Sequence, residues 1–157
     1  MPKKCKTREE LLKILARRQN KGKKIVFARG CFDILHPGHI YYLEQAKSWG
    51  DVLVVWLNSD RAVRQLKGPG RPIFIAQHRA RVLASLECVD YIAFFEQGEG
   101  LGVIQDFCPD FVAVPRVTAD FKKAVLAGGG EVKLIKKIAD YSTTRIINLI
   151  FKKHAPK

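Results

Sequence analysis

Residues 24–47 constrain this chain more than any other stretch. An apolar run, Lys24-Ile25-Val26-Phe27-Ala28, leads into Arg29-Gly30-Cys31-Phe32-Asp33-Ile34-Leu35-His36-Pro37-Gly38-His39, and a helix-like segment from Ile40 to Lys47 follows. A strand, a glycine-bearing turn and a helix in this order form the opening of an α/β sheet, whose ligands bind at the carboxyl ends of the strands. Pro37 suits the first helical position, where its missing N–H costs nothing. Gly30 can take a backbone conformation that other residues resist, and Gly38 lets a ligand come close to the main chain. His36 and His39, three positions apart, share one face of the helix start. With the unpaired N–H groups there, they read as an anion cradle suited above all to phosphate. Two imidazoles do not fill a tetrahedral zinc shell, and no Cys stands at finger-like spacing, so no metal site is expected.

The rest of the chain repeats the alternation. Thr7 and Glu10 give a capping-box signal for an amphipathic helix to about Arg18, ended by Asn20-Lys21-Gly22. Val52 to Leu57 is a continuous apolar run, the mark of a parallel strand buried on both faces. Strands are also predicted at 90–95, 111–114 and 131–135. Helices are predicted at 61–66, 76–87, 101–107 and 118–127, with a last one running from Tyr141-Ser142-Thr143-Thr144 through Phe151. The pattern predicts an α/β fold: a Rossmann-like, doubly wound, five-stranded, mostly parallel sheet. Residues 1–23 are set apart as a basic helical arm and 24–153 as the main domain. Lys67-Gly68-Pro69-Gly70-Arg71-Pro72 reads as the most flexible loop, with two cations able to close over a phosphate. Ser142, Thr143 and Thr144 are good N-cap residues and also a ready second phosphate site.

Charge sharpens the functional reading. The net charge is +13. Residues 1–24 carry ten Lys or Arg against two acids and residues 122–157 nine against two, so the middle is slightly acidic. A groove that tracks nucleic acid would carry its excess along the binding face with aromatics interleaved, so nucleic acid is not the expected partner. No apolar run approaches a membrane span, and Cys5, Cys31, Cys88 and Cys108 lack disulfide-framework spacing. The expectation is a reduced, cytoplasmic protein.

Gly30-Cys31-Phe32-Asp33-Ile34-Leu35-His36-Pro37-Gly38-His39 resembles the G-x-F-D-x-x-H-x-G-H signature of the cytidylyltransferase-like nucleotidyltransferases, and Tyr141-Ser142-Thr143-Thr144 resembles their second, S-T-T motif. Within that family the chain is most similar to the adenylyltransferase domain of bacterial ADP-heptose synthesis. That likeness rests on Asn58-Ser59-Asp60, Leu66 to Pro72, Arg79, Val89-Asp90-Tyr91 and Gly129-Gly130-Glu131-Val132. The resemblance implies transfer of a nucleoside monophosphate from ATP or CTP to a phosphorylated acceptor such as heptose 1-phosphate, with Mg²⁺ on the triphosphate and two copies in a homodimer. It implies catalytic roles for His36, His39 and Lys67. Nucleotide contacts would come from Gly30, Cys31, Phe32, Gly38, Arg71, Arg79, Tyr141, Ser142, Thr143 and Thr144, and acceptor contacts from Asp33, Asn58, Asp60 and Arg116. Asp33 could equally brace the turn. The heptose enzymes' K-G-G-D-Y-like segment is replaced here by Val114-Pro115-Arg116-Val117-Thr118, and their E-G before the S-T-T motif by Ala139-Asp140. The acceptor is therefore left open to glycerol phosphate, a phosphonate or a flavin phosphate, and a nucleotide-binding module without turnover is the rival class.

Overall fold

The structure, a computed structural model, describes residues 1–96, 98–136, 138 and 141–154. In chain order it runs α1 (Arg8–Gln19), β1 (Ile25–Gly30), α2 (Pro37–Lys47), β2 (Val52–Asn58), α3 (Asp60–Lys67), α4 (Ala76–Ala84), β3 (Tyr91–Phe95), α5 (Gly100–Phe107), β4 (Phe111–Val114), α6 (Ala119–Ala127), β5 (Glu131–Leu134) and α7 (Thr143–His154). The five strands are all parallel, in the order β3-β2-β1-β4-β5. The chain winds outward through β2 and β3, then restarts on the other side of β1 with β4. That reversal opens a crevice between the carboxyl ends of β1 and β4.

Side-chain alternation along each strand builds two cores. One face carries Phe27, Val54, Trp56 and Val112 against α5 and α6, and the other carries Val26, Ala28, Val55 and Leu57 against α2 and α4. The first core also takes Leu11 and Leu15 of α1, both fully buried. The basic segment 1–23 is therefore packed on the main domain: Arg8, Lys13, Arg17 and Arg18 belong to a helix whose inner face completes the core, and Lys4 donates to the Leu86 carbonyl. The capping box forms as expected, Thr7 Oγ1 accepting from the Glu10 N–H while the Glu10 carboxylate accepts from the Thr7 N–H. Ahead of α1, the Lys6 N–H bonds to the Ile92 carbonyl and the Ile92 N–H to the Lys4 carbonyl, so Cys5 forms a parallel bridge on the outer edge of β3.

The amino ends of the strands are fastened by three aspartates. Asp51 accepts from the Lys24 N–H at 2.8 Å, Asp110 from the Ile25 N–H at 2.8 Å and Asp90 from the Leu53 N–H at 2.7 Å. Each also pairs with a lysine: Lys23, Lys24 and Lys47 respectively. Among the described residues, no helix is long and apolar enough to cross a membrane.

Candidate active site

β1 ends at Gly30, where a side chain would meet the Phe32 ring at 2.9 Å. Phe32 itself holds a positive φ of 46°, uncommon for a residue with a side chain and a mark of a turn held in place by its surroundings. His36 caps α2 in extended conformation and Pro37 begins the helix, as the sequence predicts. The His36 and His39 rings stack, with centroids 3.8 Å apart and planes 19° from parallel. Gly38 lies so close under them that a Cβ there would sit 3.1 Å from the His36 ring and 3.1 Å from Cβ of Tyr141. The main chain at the start of α2 is thus pressed against the approach to α7.

His36 is buried, and burial pushes its imidazole below the ordinary range, so near neutral pH it is an uncharged ring with one donor and one acceptor nitrogen. Its Nδ1 has no hydrogen-bond partner among the described residues. Such an atom costs free energy in a folded chain and is typical of functional sites. Cys31 adjoins this cradle. Burial pushes its thiol up, against the opposing pull of Lys67, Arg79 and Arg71, and the thiol stays protonated.

These groups line a cavity of about 660 Å³, large enough for a nucleotide and a small second substrate. Gly30, Cys31, Phe32, Asp33, His36, Gly38, His39, Asn58, Lys67, Arg71 and Arg116 all contribute to its wall, as do Tyr141, Ser142, Thr143 and Thr144 from the start of α7. Ser142 Oγ accepts from the Arg145 N–H, an N-cap bond, and the Thr143 hydroxyl points toward the Ile34 carbonyl. Sequence positions more than a hundred apart therefore meet at one place.

Two expected contact residues do not reach it. Arg79 is 2% exposed, and its guanidinium is committed to the Phe74 carbonyl, the Cys31 carbonyl and Asp60 Oδ1 at 2.9, 2.5 and 2.7 Å. It braces the turn from beneath, and Asp60 is its counter-ion; neither lines the cavity. Asp33 lines the wall but also braces. Its carboxylate accepts from Arg71 Nε and from the Ile73 and Phe74 N–H groups. Burial pushes its carboxyl up, but those bonds outweigh it and hold the group below the usual carboxylate range. The 67–72 loop, read from its composition as the chain's most flexible, is thereby moored to the turn. The Ala139-Asp140 departure lies outside the described residues.

Residues 27–153 match the family model described as cytidylyltransferase-like. The chain belongs to the cytidylyltransferase-like family. It is 42% identical over 153 residues to the bifunctional protein HldE of Citrifermentans bemidjiense, covering 94% of this chain and 31% of that one. It is 45% identical over 148 residues to the HldE of Aliarcobacter butzleri, covering 92% and 30%. The chain thus spans about a third of the length of these curated relatives. Among solved structures it matches the lipopolysaccharide core biosynthesis protein of Thermoplasma volcanium, with a TM-score of 0.63 and 30% identity, covering 74% of this chain and 98% of that one.

For a cytidylyltransferase-like chain the electrostatics of the cavity are telling. Among the described residues, Arg29, Lys67, Arg71, Arg116 and Lys136 face it against one carboxylate, Asp33, which Arg71 already neutralises. The other four cations pair with no described carboxylate. Arg29 and Lys136, at the ends of β1 and β5, escape a motif-based reading because each looks like an ordinary polar strand terminus. Tyr42 escapes it too. Its buried hydroxyl, pushed up by burial, donates to the Ala113 carbonyl at 2.7 Å and lies 3.3 Å from the Arg29 carbonyl, tying β4 to β1 where the sheet divides.

Proposed function

We propose that the chain transfers AMP from ATP to a sugar phosphate of the heptose 1-phosphate type and releases pyrophosphate. The observation that carries this reading is the stacked His36–His39 pair on the first turn of α2, inside a strongly cationic cavity at the point where strand order reverses. An acceptor phosphate oxygen bonds to the α-phosphorus, the α–β bridging bond breaks, and the pyrophosphate carries off the electron pair. Such a reaction needs positioning and charge neutralisation more than a covalent enzyme intermediate. The protonated Cys31 thiol agrees with direct transfer. His36 and His39 donate to triphosphate oxygens as charge builds. Lys67, at the end of α3, neutralises the reacting phosphates, and the hydroxyls at the start of α7 hold the nucleotide. No cluster of three or more potential ligands for a metal occurs among the described residues. Asp33, the one described carboxylate of the cavity, is already bonded, and Mg²⁺ enters with the triphosphate, on phosphate oxygens and water.

ATP is preferred to CTP on the sequence likeness to the heptose adenylyltransferase domain. The same likeness carries a cytoplasmic location and a homodimer. The unpaired thiols agree with the first, and exposed Leu149, Ile150 and Phe151 on α7 offer apolar surface for the second. The test is a pyrophosphate-release screen of four nucleoside triphosphates against heptose 1-phosphate, glycerol 3-phosphate, FMN and a phosphonate. Phosphorus NMR then identifies the product. Release with ATP and heptose 1-phosphate supports the reading. Nucleotide binding without release against any acceptor would replace it with a non-catalytic binding module.

A further inference from the structure

Arg29 stands apart from the other cations of the cavity. Its guanidinium carbon lies 5.7 Å from the centroid of the Trp56 ring and 5.3 Å from that of Phe121, so two rings seat it from different elements, β2 and α6. Both rings are nearly buried, whereas Arg29 is exposed and lines the cavity. It pairs with no described carboxylate. A cation over two aromatic faces is held by the ring quadrupoles and loses little further freedom when it grips a ligand. A planar, pre-oriented guanidinium suits the two-pronged recognition of phosphate.

The side from which Arg29 arrives matters as much. Residues alternate along β1, and Phe27 belongs to the core that contains Trp56 and Phe121, so the Arg29 side chain leaves the sheet on that face. The histidine pair rides on α2, which packs on the opposite face. Phosphoryl transfer places attacking and leaving oxygens roughly in line. With the triphosphate cradled from the α2 side, the second anion must approach from across the strand ends, where Arg29 is seated.

We infer that Arg29, seated on Trp56 and Phe121, is the positioning residue for the phosphate of the acceptor, distinct from the groups that hold the nucleotide. This rests on the nucleotidyltransferase reading above. Arg29→Met keeps an apolar stem over the rings and removes the charge. The expected result is a rise of about 10- to 100-fold in KM for heptose 1-phosphate, with KM for ATP changed less than twofold. Arg29→Lys recovers part of the loss. A second readout does not depend on turnover. In a Trp49→Phe background, Trp56 emission should respond to inorganic phosphate added with a non-hydrolysable ATP analogue, and Arg29→Met should weaken that apparent affinity at least tenfold. Equal acceptor KM and equal phosphate affinity in the Met variant overturn the inference, as does a loss confined to ATP. If no acceptor supports turnover, the proposed reaction fails, and the emission titration alone decides whether Arg29 binds the second anion.

Discussion

The two ends of the sheet handle charge in opposite ways. At the amino ends of the strands, Asp51, Asp90 and Asp110 each accept from a main-chain N–H and pair with a lysine, so charge is satisfied within the chain. At the carboxyl ends, Arg29, Lys67, Arg116 and Lys136 face a shared cavity without a carboxylate partner among the described residues, and the one described acid there, Asp33, is engaged by Arg71, Ile73 and Phe74. The same residue types thus fasten the fold at one end and wait for an anion at the other. Total charge says little about function here. Whether a cation has an internal partner says a great deal.

The comparison breaks most sharply at Asp33, the one described acid lining the cationic cavity. Asp33→Ala should cost roughly 3–5 kcal/mol, the usual effect of stripping a buried ion pair of one member, and should abolish activity by releasing the Arg71 loop. Chemical denaturation and the pyrophosphate assay check both. Because the folded Asp33 carboxyl lies below its unfolded value, its contribution is present above about pH 4 and lost as pH falls toward the folded value. His36 acts in the same direction at higher pH. Its folded value is also depressed, so the unfolded chain takes up the proton first and stability declines as pH drops below about 6.5. Melting curves of His36→Gln should lack that part of the decline.

The next effect concerns chemistry without stability. His36→Ala should lower kcat by about a hundredfold or more, as loss of one transition-state donor does, while the melting temperature holds or rises because a buried unpaired nitrogen is removed. At the amino end the expectation reverses. Asp110→Ala should cost about 1–3 kcal/mol by stranding the Ile25 N–H, with kcat essentially unchanged. A substantial loss of kcat in that variant would erase the division between the two ends. The smallest effect is expected at Thr7→Ala, about 1 kcal/mol from a lost helix cap, visible in melting temperature alone.

The sheet was legible because its strands are continuous apolar runs and each helix follows its strand closely. Val52 to Leu57 can be little else. The histidine cradle was legible because every residue that builds it lies within ten positions. What stayed hidden depends on distant partners. Arg79 near a phosphate motif reads as a phosphate ligand, and only its bonds to Cys31 and Asp60 reveal a brace. The 67–72 loop has the composition of a free segment, and its mooring comes from an aspartate about forty positions earlier. Arg29 gains its seat from rings on β2 and α6, which no local pattern joins.

The strip formed by the first six residues has a practical meaning for handling the protein. By bridging to β3 at Cys5 it pairs the otherwise bare amide and carbonyl of Ile92 on the sheet's border, the kind of border through which separate molecules stitch together. Deleting that bridge would leave the cavity lining untouched yet invite clumping.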